Sequence, residues 1–526
     1  MSRSSKTRRG PAPASKAVLG IDFGTTRTVV AVADRGNYPV VSFETNDGDS
    51  VEWFPSIVAV RGDDFRFGFD ALDVAREPDW KIVRSMKRLL ATPDVGTEPA
   101  FGVGRGAAEV LPRFLEALST ALRERSNVAD ALRDGALEVV IAAPANAFCA
   151  QRFYTLEAFR HAGFKVRALL NEPSAAGFEY AHRYARTMSS SREGVIVYDL
   201  GGGTFDASLV RMSGARHDVV RAAGISRLGG DDFDAALAEL ALAEAGREGG
   251  LASLEASAAQ KLLDDCRAAK EALTPSARKV SVDVDAALGL PSRAISVATA
   301  DYYDACTPLV ERTIEAMAPL FEDGALPFDV AGLYVVGGAS SLPLVGRVLK
   351  ARFGRRVHRS PYPHAAVAIG LAIFGDDTAG FELVDRFSRN FGVFREEEDG
   401  RRPTYDPIVT HDVPLPAPGH SPVVVRRRYR AAHDVGHYRF FECATFDDHG
   451  VPRGDMAPVT ELYFPFAAKL RGAEVDLVSH SVSRLGGEGP LVEERYSVDE
   501  NGVVRVTIVD LESGFEKSSR LAQPTA

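Results

Sequence analysis

A two-lobed α/β fold made by duplication, followed by an antiparallel β-sandwich, is predicted by three observations. The same kind of loop occurs twice, at Ile21-Asp22-Phe23-Gly24-Thr25-Thr26 and at Tyr198-Asp199-Leu200-Gly201-Gly202-Gly203-Thr204-Phe205-Asp206. Residues 17–379 alternate β-branched runs with helical stretches, as layered α/β domains do. From 387 to 518 helical periodicity gives way to short alternating runs broken by proline, glycine and Asp-Gly or Asn-Gly turns.

In chain order, residues 1–16 hold five basic groups, no acidic ones and no apolar core of a secretory signal, so a disordered solvated tail is expected. Each loop follows an apolar run, Val18-Leu19-Gly20-Ile21 or Gly194-Val195-Ile196-Val197-Tyr198, that reads as a buried strand. Further strands are expected at 29–33, 57–60, 139–142, 208–211 and 333–336. Helices are expected at 107–125, 150–162, 231–245, 254–273, 300–320 and 343–353. Residues 380–386 form a linker whose Phe381, Leu383 and Val384 are apolar, which predicts conditional docking on a neighbouring surface. Strands then follow at 423–429, 437–444, 475–482 and 503–509. Asp499-Glu500-Asn501-Gly502 marks a hairpin. Residues 519–526 read as a polar tail.

The two loops carry the chemistry. Glycine lets backbone N–H groups approach a phosphate closely. Threonine adds hydroxyl donors, and aspartate can hold Mg2+ directly or through its waters. Two such hairpins facing each other would clamp one nucleotide between two lobes. Leu228-Gly229-Gly230-Asp231-Asp232-Phe233-Asp234 places glycines and aspartates before a helix, as capping chemistry or as a ligand-facing turn.

Bulk properties narrow the class. At 526 residues, two or three domains are expected. The net charge of −10 argues against a nucleic-acid binder. Cys149, Cys266, Cys306 and Cys443 lack paired spacing, which points to a reducing, cytoplasmic setting. No apolar run is long enough for a membrane helix. Gly102-Val103-Gly104-Arg105-Gly106 reads as a loop, and Glu396-Glu397-Glu398-Asp399-Gly400 as a solvated turn. Arg426-Arg427-Arg428-Tyr429-Arg430 reads as a solvated strand edge, and the Cys149 thiol as inert. His433 and His437, without a completing glutamate, do not make a zinc motif.

The segments GIDFGTTRTVVAV, FPSIVAV, SMKRLL, VVIAAPANAFCAQR, LLNEPSAAGFEY, VYDLGGGTFDASLV, RLGGDDFDAAL, CRAAKEAL, YVVGGASSLPLV and HAAVAIGLA span residues 18–375 in order. Together they resemble the seventy-kilodalton heat-shock chaperones, the DnaK family, within the actin/hexokinase ATPase superfamily. More thinly, GVF at 392–394 and YSVDENGVVRVTIVDLESGFEKS at 496–518 resemble the first and last strands of the family's peptide-binding domain. The resemblance implies an actin-like ATPase domain of two ribonuclease-H-like lobes that hydrolyses Mg-ATP to ADP and phosphate, with K+ as a further candidate ion. Lys87 matches the family's catalytic lysine and Glu172 its catalytic-site carboxylate. Asp22, Asp199 and Asp206 match metal-site aspartates, with Asp199 also placed to orient or activate water. Thr25, Thr26 and the catalytic-site Thr204 match the phosphate hydroxyls. Gly24, Gly201, Gly202, Gly203 and Gly230 fall in the phosphate loops, Gly337 and Gly338 in the adenosine loop, and Lys270 at a ribose or base contact.

Departures from the pattern are Ser341 for an adenine-flanking arginine, Arg267 for a ribose-contacting glutamate, His364 for an aspartate, and Arg27 for a small or aromatic residue. These bear on nucleotide affinity and leave the phosphate chemistry intact. Pro144, Arg152, Leu383, Val384 and Asp385 match the family's relay between nucleotide state and second domain. Asn146 replaces its aromatic residue, and Glu382 interrupts the apolar linker. Ala168 replaces an arginine that meets the co-chaperone. The family's helical lid has no counterpart, so fast peptide exchange is expected. The resemblance implies an ATP-dependent chaperone of unfolded or client polypeptides, with a J-domain co-chaperone and a nucleotide-exchange factor as partners. A dedicated single-client regulator or assembly factor is the alternative. A small-molecule kinase and an actin-like filament former leave the β-rich part without a role.

Overall fold

The computed structural model describes residues 17–77, 79–90, 106–184, 193–284, 294–321, 330–447, 450–472 and 475–520. The expected tail at 1–16, residues 102–105 of the glycine-rich loop and residues 521–526 lie outside them.

Two sheets repeat one plan. In the first, Val18–Phe23 pairs antiparallel with Arg27–Val32 and parallel with Glu138–Ala143, which pairs parallel with Lys165–Asn171. In the second, Gly194–Leu200 pairs antiparallel with Phe205–Ser213 and parallel with Val330–Val336, which pairs parallel with Val357–Arg359. Both hairpin strands are almost wholly buried, as their near-continuous apolar runs require. Two helices, Glu172–Tyr184 and Ala366–Gly375, join the lobes through an apolar cluster that takes residues from both sheets. They touch so closely that a Cβ on Gly370 would lie 1.7 Å from the Ala175 carbonyl oxygen.

The expected helices form at Ala107–Glu124, Cys149–His161, Gly230–Glu244, Ala256–Glu271, Thr299–Ala316 and Pro343–Phe353. Residues 318–320, expected to continue one of them, form a separate 3-10 turn with a proline at its start.

The second sheet gains an edge from the linker. Glu382–Val384 pairs parallel with Arg216–Ile225, Leu383 opposite His217. The linker is thus docked.

Beyond it lie two four-stranded antiparallel sheets. One orders Arg402–Val409, Asn390–Glu397, Val435–Cys443 and Ala457–Pro465; the other orders Val423–Arg430, Leu491–Val498, Val504–Asp510 and Glu516–Arg520. They share one apolar core that includes Phe391, Phe440, Tyr496 and Val506. Two expectations are corrected. Residues 475–482 form no strand, because the Asp476 carboxylate accepts from Val478 N and Ser479 N and holds a local turn. Ser519 and Arg520, read as the start of the polar tail, complete the strand Glu516–Arg520, which pairs with Val504–Asp510 as an edge strand. Polar alternation suits such an edge. The arginine-rich Val423–Arg430 strand is the opposite edge, with Arg427 on Asp406 and Arg428 on Glu493. His437 stacks on Tyr463 and bonds Glu461, whereas His433 lies near Glu396, so the two imidazoles face different carboxylates.

Candidate active site

The two loops face each other across a cleft between the lobes. A Cβ on Gly202 would sit 2.5 Å from Thr26 Oγ1, so the second loop can approach the first only with glycine there. Gly337 has φ +85°, and a Cβ on it would meet Leu200 O at 2.3 Å and Asp199 Oδ1 at 2.4 Å. A side chain there would be strained and would displace the aspartate.

The cleft is lined by most residues picked from the sequence: Asp22, Gly24, Thr25, Thr26, Lys87, Glu172, Asp199, Gly201, Gly202, Thr204, Gly230, Lys270, Gly337 and Gly338. Gly203 packs on Thr25 instead, and Asp206 lies directly across the hairpin from Asp199. Ser341 is exposed and outside the lining.

Lys87 is the centre of charge. It is buried, its Nζ touches Glu172 Oε1, and it stands 3.7 Å from Asp22 Oδ1. Burial works against its ammonium, yet Glu172 and Asp22 together raise its pKa above the ordinary lysine range. The carboxyls shift upward too. Burial pushes Glu172 to about 8 and Asp206 to about 6. Burial also raises Asp22, and it raises Asp199 well above its usual range with help from the Glu172 and Asp22 charges.

Three buried carboxylates and the half-buried Asp22 therefore face one ammonium. A divalent cation fits this donor set, because it relieves the repulsion that low dielectric makes costly. Among the described residues no group of three His, Cys, Asp or Glu side chains converges as direct metal ligands. The side chains thus suit a cation that keeps its own water, as Mg2+ prefers.

The cleft mouth is crossed by ion pairs between the lobes. Arg27 Nη2 bonds Glu271 Oε2 at 2.5 Å, with its guanidinium 4.7 Å over the Trp53 ring. Arg84 pairs with Asp264, and Arg88 with Asp232. Arg267, a departure from the expected glutamate, lines the cleft while tied to Asp231 and Asp234; Lys270 bonds Gly230 O and Asp234. His364 lines the same mouth, 3.8 Å from Glu52.

The proposed relay residues gather outside the cleft. Asp385 accepts from Asn171 N at 2.9 Å, Asn171 Nδ2 at 2.6 Å and Ser174 Oγ at 3.3 Å. Asn171 directly precedes Glu172, so the linker holds the backbone beside a cleft carboxylate. Arg152 is fully buried and donates to Asn171 Oδ1, Leu169 O, Ser388 Oγ and Asn501 O. Pro144 is buried at the end of the Glu138–Ala143 strand and accepts from Ala147 N. Leu383 packs on the cluster between the lobes, and Leu383 and Val384 sit in the docked strand.

Sequence reasoning missed the partners on the later sheets. Arg389 Nη1 donates to Asn146 Oδ1, its guanidinium lies 4.4 Å over Phe148, and Glu442 accepts from Cys149 N. Asn146 N in turn donates to Asp206 Oδ1. The residue that replaces the expected aromatic thus connects Asp206 to Arg389. No local signal marks these residues, since each is polar and its partner is far away in sequence. Burial and the Glu442 charge push the Cys149 thiol well up, away from reactivity.

Comparison with known proteins identifies the family. A chaperone protein HscA homolog of Aeromonas salmonicida is 36% identical over 379 residues, covering 69% of this chain and 58% of its own length. Chaperone protein HscA of Serratia proteamaculans is 34% identical over 392 residues, covering 69% and 58%. An HscA homolog of Burkholderia multivorans is 33% identical over 395 residues, covering 70% and 60%. The match spans about three fifths of the length of these curated relatives. The family model described as Hsp70 protein matches residues 110–388, more than half of the sequence, and the chain therefore belongs to the Hsp70 family, whose ATPase domain has the actin-like fold.

Proposed function

We propose that this protein is an ATP-dependent chaperone that hydrolyses ATP in the cleft and passes the nucleotide state to its C-terminal sheets through the docked linker. The observation that carries the reading is Lys87 set between Asp22 and Glu172 beneath two facing glycine–threonine loops. In this reading residues 17–379 are the nucleotide domain, 380–386 the linker, and 387–518 a β-sandwich that binds polypeptide.

The glycine loops and Thr25, Thr26 and Thr204 bind the phosphates through backbone N–H and hydroxyl groups. The Lys87 ammonium sits where charge develops on the γ-phosphoryl group and helps orient the attacking water. Asp199 takes the proton of that water as its oxygen bonds to phosphorus and the bond to the ADP oxygen breaks. Asp22, Asp199 and Asp206 would hold Mg2+, which when bound supplies the positive charge these carboxylates lack; K+ is a second candidate ion for the same charge. Glu172 keeps the ammonium in place. Lys270, Gly337 and Gly338 take the adenosine end.

The proposed partners are unfolded or client polypeptides, a J-domain co-chaperone and an exchange factor, in the cytoplasm. Among the described residues no helix is long and apolar enough to cross a membrane.

One observation favours the alternative of a dedicated client. Arg395, on one C-terminal sheet, makes a bidentate pair with buried Glu494 on the other, at 2.9 and 2.8 Å, and also bonds Asp406. Tyr429 adds its hydroxyl to Glu494. A charged network between the sheets suits a partner of defined polarity better than any apolar segment.

Steady-state ATPase of the wild type and Lys87→Ala, with a panel of unrelated extended apolar peptides, tests the reading. Stimulation by several peptides, lost in Lys87→Ala, is expected. Hydrolysis by the wild type that no peptide changes would favour the dedicated client, and no hydrolysis at all would overturn the ATPase.

A further inference from the structure

His217 lies outside the nucleotide cleft, near the start of the Arg216–Ile225 strand. It is 0% exposed, and neither ring nitrogen has a hydrogen-bond partner among the described residues. Its ring stacks on Phe178 at 4.5 Å and meets the linker's Phe381 edge-on at 5.3 Å. Phe178 also packs against Phe374 and Phe381. In the sheet His217 stands opposite Leu383, so the linker strand flanks it.

An aromatic box of this kind accepts a neutral imidazole and penalises a charged one. Among the described residues no carboxylate enters it. Asp218, next on the same strand, favours the cation but is tied to Arg216. On the helix behind, Glu179 is held by Arg183 and Tyr334; on the adjacent strand, Arg211 is held by Glu193; on the linker, Glu382 stands opposite Arg216. Burial therefore outweighs Asp218 and lowers the ring's pKa from 6.5 to about 4.

We propose that His217 makes docking of the linker pH-dependent: the Glu382–Val384 strand stays paired while the imidazole is neutral, and is displaced when the ring takes a proton. The sign follows from linkage. An undocked linker leaves the ring wet, where it binds a proton near its ordinary value. The docked state therefore keeps its full advantage above about pH 6.5 and loses it as pH falls toward about 4. The expected loss in the docking equilibrium is about 30-fold at pH 5 and approaches about 300-fold at lower pH. This inference rests on the observed strand pairing and stands apart from the proposed ATPase coupling, so failure of peptide stimulation leaves it intact.

Hydrogen exchange of the full chain tests it. Protection of amides 381–385, corrected for intrinsic rate, is measured at pH 7.5 and pH 5.0 in the wild type and His217→Phe, with the Ala366–Gly375 helix as internal reference. The wild type is expected to lose about 30-fold at the linker while the reference is unchanged. His217→Phe keeps the stack without a proton site and is expected to hold its protection. Equal loss in both proteins, or no loss in the wild type, would overturn the proposal. Should His217→Phe not fold, NMR titration of labelled histidine in the wild type and Phe381→Ala decides. A ring that stays neutral to about pH 5 in the wild type and titrates nearer 6.5 in Phe381→Ala supports it; one that titrates near 6.5 in both overturns it.

Discussion

The Arg152 side chain donates through Nε to the Asn501 carbonyl oxygen at 3.0 Å, across 349 residues of sequence. Asn501 Oδ1 also accepts, from Leu169 N at 3.2 Å. The hairpin at 499–502 is therefore seated in the nucleotide lobe by two hydrogen bonds donated from that lobe, and the same arginine donates to Asn171, the residue before Glu172. Arg152→Ala would leave the Asn171, Leu169 and Asn501 oxygens short of a donor in a buried site. A loss of about 2–4 kcal/mol is expected. In denaturant, the C-terminal sheets should then separate from the nucleotide lobes before either unfolds, which hydrogen exchange would show as protection lost at amides 499–503 at a lower denaturant concentration than in either core.

The charge imbalance of the cleft gives a pH dependence. Glu172 and Asp206 are raised by burial to about 8 and about 6, so the folded state binds more protons than the unfolded chain through that interval. Stability contributed by these groups is complete below about pH 4 and is lost as pH rises through the folded values. Lys87, raised above its ordinary range, stays charged throughout and adds no slope there. The nucleotide-free protein should melt at a lower temperature at pH 8 than at pH 5. Glu172→Gln should flatten that slope, as should saturating Mg-nucleotide. Calorimetry at four pH values is the check.

Arg27 and Glu271 bridge the cleft mouth with side chains 35% and 40% exposed. An exposed pair of this kind contributes about 0.2–1 kcal/mol. Arg27→Ala should therefore speed release of a fluorescent nucleotide about 1.4- to 5-fold, and most of that gain should vanish at high salt, where the wild-type pair is itself screened. Stopped-flow chase experiments at two salt concentrations measure both effects.

Gly370→Ala places a methyl against the Ala175 backbone, where neither helix can yield locally. A loss of about 2–3 kcal/mol or more is expected from forcing the helices apart. Nucleotide affinity should fall with it, because the same helix pair holds the two lobes in register. Chemical denaturation and nucleotide titration of the variant give the two numbers.

What the sequence reveals depends on range. The phosphate loops are readable because glycine, aspartate and threonine act on a ligand from within a few residues of one another. Pro343–Phe353 is bounded as expected because Pro343 suits the first helical turn and Gly354, at φ +67°, ends it. Residues 475–482 mislead because they are rich in β-branched valine, a residue type that suits strands, while Asp476 captures the backbone in a turn. The docked linker is foreshadowed by its three apolar side chains, yet its partner strand could not be named. Arg389 and Glu442 carry no local pattern at all, and the pattern around Asn501 marks its turn but not its contact with the nucleotide lobe. Each is satisfied only by a residue that the folded chain brings from another region.

That 349-residue separation also has a meaning in time. At usual synthesis rates, Asn501 leaves the ribosome roughly 20–70 s after Arg152. The nucleotide lobes have ample time to fold first, and the arginine must wait in a socket whose last ligand has not been made. Asn171 and Leu169, from its own lobe, can hold the guanidinium during that interval. Arrival of the 499–502 turn then completes the site, so a nascent chain could occupy its nucleotide cleft well before its C-terminal sheets were able to answer it.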